Sequence, residues 1–204
     1  ITAIAAALSL LPMGQPMLLG TLTVSTAAIV ISASQAQAKD ELDIAEIAKA
    51  ITIRLEGATQ GSGFIYERDF KKKKSPYGDW EIDDPEKGYV YKILTAWHVV
   101  KDNTPGEEIG IIMPDNQEYV VEIEDIQKVE GIDLALILIS SKKEYKVVES
   151  APVEELDKIK NSIYVAGYPL DNFNTIRVEK GNVVNTTYWA SEGYGFLYDN
   201  DTKP

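Results

Sequence analysis

The chain has 204 residues, 20 basic and 32 acidic side chains, a formal net charge of −12 and no cysteine. That length suits one domain of ordinary size. The lack of cysteine excludes disulfides and thiolate metal sites, and the acidity argues against non-specific binding to DNA or RNA, which needs Lys and Arg clustered on phosphates.

The first 38 residues carry no charged side chain. Within them Leu18 to Ile31 form an apolar core, and Ala36-Gln37-Ala38 supplies the small-x-small pattern that signal peptidase reads. Residues 1–38 are therefore read as a signal peptide or apolar leader, and the mature chain is expected to begin at Lys39 in a secreted or periplasmic location. The alternative is a membrane anchor, so membrane contact is expected only through an uncleaved leader. The run is shorter than the ~20 continuous apolar residues of a span and is broken by Gly14-Gln15-Pro16. The sequence begins at Ile1 with neither methionine nor a basic segment, so it is read as trimmed at this end.

Residues 39–49 form an N-terminal extension. Leu42, Ile44, Ile47 and Ala48 make an imperfect apolar stripe that predicts one or two helical turns between Asp40 and Lys49. From Ala50 the pattern turns to strands. Ile51 to Leu55 alternate with period two, and Gly63 to Tyr66 open a second strand after Gly57 and Gly61. Residues 67–88 read as an enlarged polar loop, and the basic run Lys71 to Lys74 within it, flanked by Glu67, Asp69 and Asp79, as a solvated segment. Tyr89 to Thr95 return as a strand rich in aromatic and branched residues. Glu108 to Met113 and Glu118 to Ile123 flank a turn at Pro114-Asp115-Asn116. Leu134 to Ile139 are almost continuously apolar, which predicts a strand buried on both faces. Short strands at this spacing predict an all-β barrel or sandwich. Residues 50–140 would be one barrel, 141–161 a connector containing Pro152, and 162–204 the start of a second β unit.

The only histidine lies in Thr95-Ala96-Trp97-His98-Val99-Val100, at the end of an apolar run. An imidazole exchanges protons near neutral pH, which suits a general base. Asp133, in Gly131-Ile132-Asp133-Leu134-Ala135-Leu136-Ile137, heads another apolar run. A carboxylate there either caps a turn after Gly131 or orients an imidazole. Asp115 and Asp125 are competitors, but neither leads a buried run. Gly61-Ser62-Gly63 lacks the Gly-Lys-Ser/Thr of a phosphate loop and the strand-to-helix setting of a nucleophile elbow. One histidine and scattered carboxylates do not make a zinc set, and Asp199-Asn200-Asp201 lacks the closing glutamate of a calcium loop. No metal and no cofactor are expected.

Gly61-Ser62-Gly63-Phe64-Ile65, Thr95-Ala96-Trp97-His98-Val99-Val100 and Asp133-Leu134-Ala135-Leu136-Ile137 together resemble the first half of a chymotrypsin-like serine peptidase. The likeness is to the bacterial branch that includes the Deg/HtrA and glutamyl endopeptidases and cyanobacterial secreted trypsin-like peptidases. It covers residues 50–204 and implies a chymotrypsin-like double β-barrel, with the second barrel incomplete in this sequence. The resemblance makes His98 the base, Asp133 its orienter, Trp97 a variable position, Ser62 a structural residue and polypeptides the substrates. The family's Gly-x-Ser-Gly-Gly-Pro motif is absent from the 204 residues, so the nucleophile is expected past Pro204. Were Gly-x-Ser to follow at once, Asp201 would lie near the floor of the primary specificity pocket and favour Lys or Arg side chains. The sequence as it stands is expected to be inactive. An inactive peptidase-like module that binds polypeptides, or an exported β-domain used as scaffold or adhesin, are the alternatives.

Overall fold

A computed structural model describes residues 3–8, 27–32, 41–74, 81–149, 162–185 and 197–200. Fourteen strands occur in chain order among them. They are β1 (Ala3–Leu8), β2 (Ala27–Ser32), β3 (Thr52–Glu56), β4 (Gln60–Phe70), β5 (Lys72–Lys74), β6 (Glu81–Asp83) and β7 (Tyr89–Thr95). The remainder are β8 (Glu108–Ile112), β9 (Glu118–Glu122), β10 (Gln127–Val129), β11 (Leu134–Ser141), β12 (Ser162–Gly167), β13 (Arg177–Asn185) and β14 (Leu197–Asn200). Two helices, α1 (Glu41–Ile51) and α2 (Trp97–Val100), interrupt them.

The main body is a seven-stranded sheet in the order β10-β11-β7-β4-β3-β8-β9, antiparallel throughout. Period-two alternation sends Ile53 and Leu55 of β3, Tyr91 and Ile93 of β7, Ile109 and Ile111 of β8, and Ala135 and Ile137 of β11 into one shared core. Strands from both ends of the order thus meet in one interior, so the sheet is curled into a barrel. Side chains fasten the open seam. The Tyr119 hydroxyl on β9 donates to Ser141 Oγ on β11 at 2.6 Å. Asp115, in the β8–β9 turn, pairs with Lys143 and accepts from the Tyr145 hydroxyl at 3.2 Å.

A smaller core lies on the outside of this barrel. Ile44, Ala48 and Ile51 of α1 pack with Phe64, Val148, Tyr164 and Ala166. The apolar stripe of α1 thereby glues the barrel to the second sheet, whose order is β1-β2-β12-β13-β14. Two further ties cross this junction. The Tyr168 N–H donates to Ser62 Oγ at 2.7 Å. The Arg54 guanidinium reaches Asn174 Oδ1 at 3.1 Å and lies 5.7 and 5.4 Å from the ring centroids of Tyr168 and Phe173. Arg54 Nε is 2.8 Å from Glu56 Oε1, an ion pair without the alignment of a hydrogen bond.

Several sequence expectations need correction. The polar excursion at 67–88 is not a plain loop: β4 runs on to Phe70, and Lys72–Lys74 pairs with Glu81–Asp83 in a separate two-stranded sheet. The apolar strand at Leu134–Ile139 is buried on one face only. Ala135, Ile137 and Ile139 point inward, whereas Leu138 is 42% exposed. Ile51 ends α1 rather than opening a strand, and β10 is an addition to the expected strands. Within residues 1–38, β1 and β2 form an antiparallel pair, and β2 also pairs with β12 through Ile31 and Ser32. Among the described residues no helix is long and apolar enough to cross a membrane, and no group of three metal-binding side chains comes together.

Candidate active site

Two strand ends create the site. β7 and β11 are antiparallel with Thr95 opposite Ala135. Continuing that register past the last paired residues brings Asp133 beside Trp97 and His98, although 35 positions separate Asp133 from His98. β7 ends at Thr95, which lies on the same inward face as Tyr91 and Ile93. Thr95 is fully buried and its hydroxyl donates to the Ser62 carbonyl at 2.9 Å. Ala96 stays extended, and the single turn of α2 then swings His98 out of the sheet. On the other side, Gly131 takes φ +80, a left-handed value that suits glycine. The chain turns there before β11 begins.

Both oxygens of Asp133 engage His98. Oδ2 lies 2.8 Å from Nδ1, and Oδ1 accepts the His98 backbone N–H at 2.9 Å. The carboxylate therefore fixes the ring and the main chain that carries it. With Asp133 ionised, Nδ1 is the protonated nitrogen, which leaves the Nε2 lone pair facing away from Asp133. His98 makes no other side-chain hydrogen bond among the described residues. Its side chain is 21% exposed and that of Asp133 10%, so solvent reaches the imidazole more readily than the carboxylate. Lys128 Nζ lies 5.6 Å from the neighbouring Trp97 ring.

The expected residues distribute as follows. His98 and Asp133 come together, His98 from the one-turn helix that follows β7 and Asp133 from the turn before β11. Ser62 is fully buried and engaged by both its Oγ and its carbonyl, so its hydroxyl is occupied in packing β4 against Tyr168. Asp115 belongs to the barrel seam, far in function from His98. There its carboxyl feels opposed influences: burial pushes its pKa up, but the Lys143 ammonium, the Gln117 N–H and the Tyr145 hydroxyl together hold it below the ordinary value. Asp125 ends a short 3-10 turn. Asp201 lies outside the described residues. Thr59 and Asn103, which touch α2, are functional candidates that sequence reasoning missed. Only the turn-rich run Asp102-Asn103-Thr104-Pro105-Gly106 marks the place.

A curled antiparallel barrel, a second β-sheet docked on it, and an Asp-His pair just past strand ends define a chymotrypsin-like all-β architecture whose second barrel is incomplete among the described residues. The family model described as trypsin-like peptidase domain matches residues 61–204, and the chain belongs to that family. Among solved structures it is similar to the one titled crystal structure of Deg5, with a TM-score of 0.51 and 15% identity. The match covers 82% of this chain and 78% of that one. At such identity the likeness speaks for the fold alone. No curated protein sequence matches the chain significantly.

Proposed function

We propose that the parent protein is a serine endopeptidase in which His98 is the general base and Asp133 orients it. The observation that carries this reading is the two-point grip of Asp133 on His98 at 2.8 and 2.9 Å, in a member of a peptidase family. A serine hydroxyl is a weak nucleophile until a base takes its proton. Nε2 would take it as the oxygen attacks the scissile carbonyl, and would return it to the leaving amine. Asp133 would stabilise the imidazolium formed between those steps. The serine and the oxyanion donors would be supplied from beyond residue 204, and Asp201 would favour basic side chains in the substrate. Export completes the reading, with cleavage after Ala38 removing β1 and β2. Among the described residues those strands form ladders with each other and with β12 alone, so the first barrel would keep every one of its described ladders.

The test is labelling of the parent protein by a fluorophosphonate, which reacts only with an activated serine. Labelling on one serine past residue 204, lost in His98→Ala, is expected. The 204-residue chain should remain unlabelled, and stoichiometric reaction at Ser62 would overturn the assignment. A parent that takes up no label yet binds unfolded polypeptides would instead be an inactive binding module. For export, N-terminal sequencing of protein from the native host should begin at Lys39. An intact leader on membrane-bound protein would favour an anchor.

A further inference from the structure

We propose that Asn103 is a positioning residue for His98, locking the last carbonyl of α2 to the β3–β4 turn while Asp133 holds the His98 N–H. The assignment rests on His98 acting as the base. α2 is a single turn, too short to hold its direction by its own hydrogen bonds, and its N-terminal Ala96 offers no side-chain cap. Its direction must come from neighbours. Asp133 takes the His98 N–H. The two carbonyls that follow His98 are each claimed. The Thr59 hydroxyl donates to the Val99 carbonyl. The Val100 carbonyl accepts both the Asn103 backbone N–H at 3.2 Å and its side-chain Nδ2 at 2.7 Å.

Asn103 also faces the other way. Its Oδ1 accepts the Ala58 N–H at 2.7 Å, across 45 residues of sequence. A carboxamide both donates and accepts, and here each function joins a different element. Asp would lack the donor and set a charge against the Val100 carbonyl, while Ala would lack both. The turn is shaped to receive this side chain. A Cβ on Gly57 would stand 2.6 Å from Asn103 Oδ1, and one on Gly61 would stand 2.5 Å from Val99 Cγ1. Asn103 is 7% exposed, so water does not readily replace these partners. A buried amide bonded at both ends is therefore the link through which the rigid barrel sets the height and tilt of His98.

Because His98 is the only histidine, imidazole nitrogen NMR of the 204-residue chain reports on it without ambiguity. The readout is solvent exchange of the Nδ1 proton, compared with the Ile93 and Ile137 amides in the barrel. In Asn103→Ala and Asn103→Asp the Nδ1 proton should exchange about ten-fold faster or more, with the barrel amides unchanged. Thr59→Val should move it the same way by less. Should the Asn103 variants not fold, Thr59→Val decides alone. An Nδ1 proton unaltered in the variants, or faster only in step with Ile93 and Ile137, would overturn the proposal. An Nδ1 proton absent from the unaltered chain, or undisturbed in Asp133→Ala, would instead bring down the His98–Asp133 pair and this assignment with it.

Discussion

Asp133 spends both oxygens on a single neighbour, so its two acceptor sites cannot be replaced by an amide. In Asp133→Asn one of the two N–H donors of His98 would face an NH2 group. The ring would escape by taking the other tautomer, with Nε2 protonated and unable to serve as a base. Turnover by the parent protein should fall roughly 10³–10⁴-fold with the fold intact. Peptide-substrate kinetics beside a circular dichroism spectrum would check this, and an unchanged rate would remove Asp133 from the mechanism. Glycines give a second prediction of the same kind. Gly61→Ala must push Val99 aside, since its Cβ would come within 2.5 Å of one methyl and 2.9 Å of the other. Urea denaturation should show a loss of about 1–3 kcal/mol, the range for overpacking a core. At Gly106 a Cβ would meet nothing within 4 Å, but the backbone holds φ +83. Alanine there should cost about 1 kcal/mol or somewhat more, from backbone strain alone.

Among the strands and turns, the seam loop offers a pH test. Asp115 has an ordinary value of 3.8; burial raises it, yet Lys143, Gln117 and Tyr145 bring it lower in sum. A lowered folded-state pKa contributes stability above the unfolded value, and that contribution is lost as pH falls through the folded one. Tyr145, whose own hydroxyl is raised first by burial and then by Tyr119 and Asp115, remains a donor across that range. Tyr145→Phe removes one of the groups holding Asp115 down. The variant should be about 1 kcal/mol less stable near neutrality, and its acid unfolding midpoint should move to higher pH. An acid midpoint equal to that of the unaltered chain would detach Asp115 from barrel stability. Elements are legible in the sequence where the pattern is long or chemically distinctive. Tyr89–Thr95 reads to the residue because seven aromatic, branched and lysine side chains alternate cleanly. α2 escapes because four residues are fewer than the helical period needs, and Val99 and Val100 prolong an apolar run that reads as strand. β5 and β10 escape because Lys72–Lys74 and Gln127–Val129 carry almost no hydrophobic signal. At β11 the residues facing outward are also apolar, so the pattern suggests two buried faces where there is one. The pair His98 and Asp133 is legible through short local motifs, whereas Asn103 works through a contact that no local pattern announces.

Across the molecule, the two β units differ in how they are supported. The first barrel has a continuous core fed by five of its seven strands and packed partners on the sixth. The described part of the second unit buries Ile163, Tyr164, Val165 and Ala166 on β12, while Val184 on β13 is 66% exposed. Native-state hydrogen exchange should therefore protect Ile53, Ile93 and Ile137 far more than the amides of β13. The difference reflects local opening, whose free energy ranges from near zero to the global value. Equal protection in both units would mean that they unfold as one. Arg54→Ala removes the guanidinium from the Tyr168 and Phe173 rings and from Asn174, and should widen the gap further by loosening the segment that leads into β13, with the Ile93 amide unchanged.

The first barrel is held around most of its girth by backbone ladders, but at one meridian it is fastened by Tyr119, Ser141, Asp115, Lys143 and Tyr145. A ladder behaves as a zipper: parting it costs many bonds in succession. These few side chains behave as a clasp. Once undone, the β8–β9 hairpin could swing on β3 as a leaf swings on a hinge, with its own ladder intact. Slow breathing of this barrel would therefore start at a predetermined line and follow a hydroxyl count, so that removing Tyr119 and Tyr145 oxygens, two atoms in all, would set how often the interior meets water.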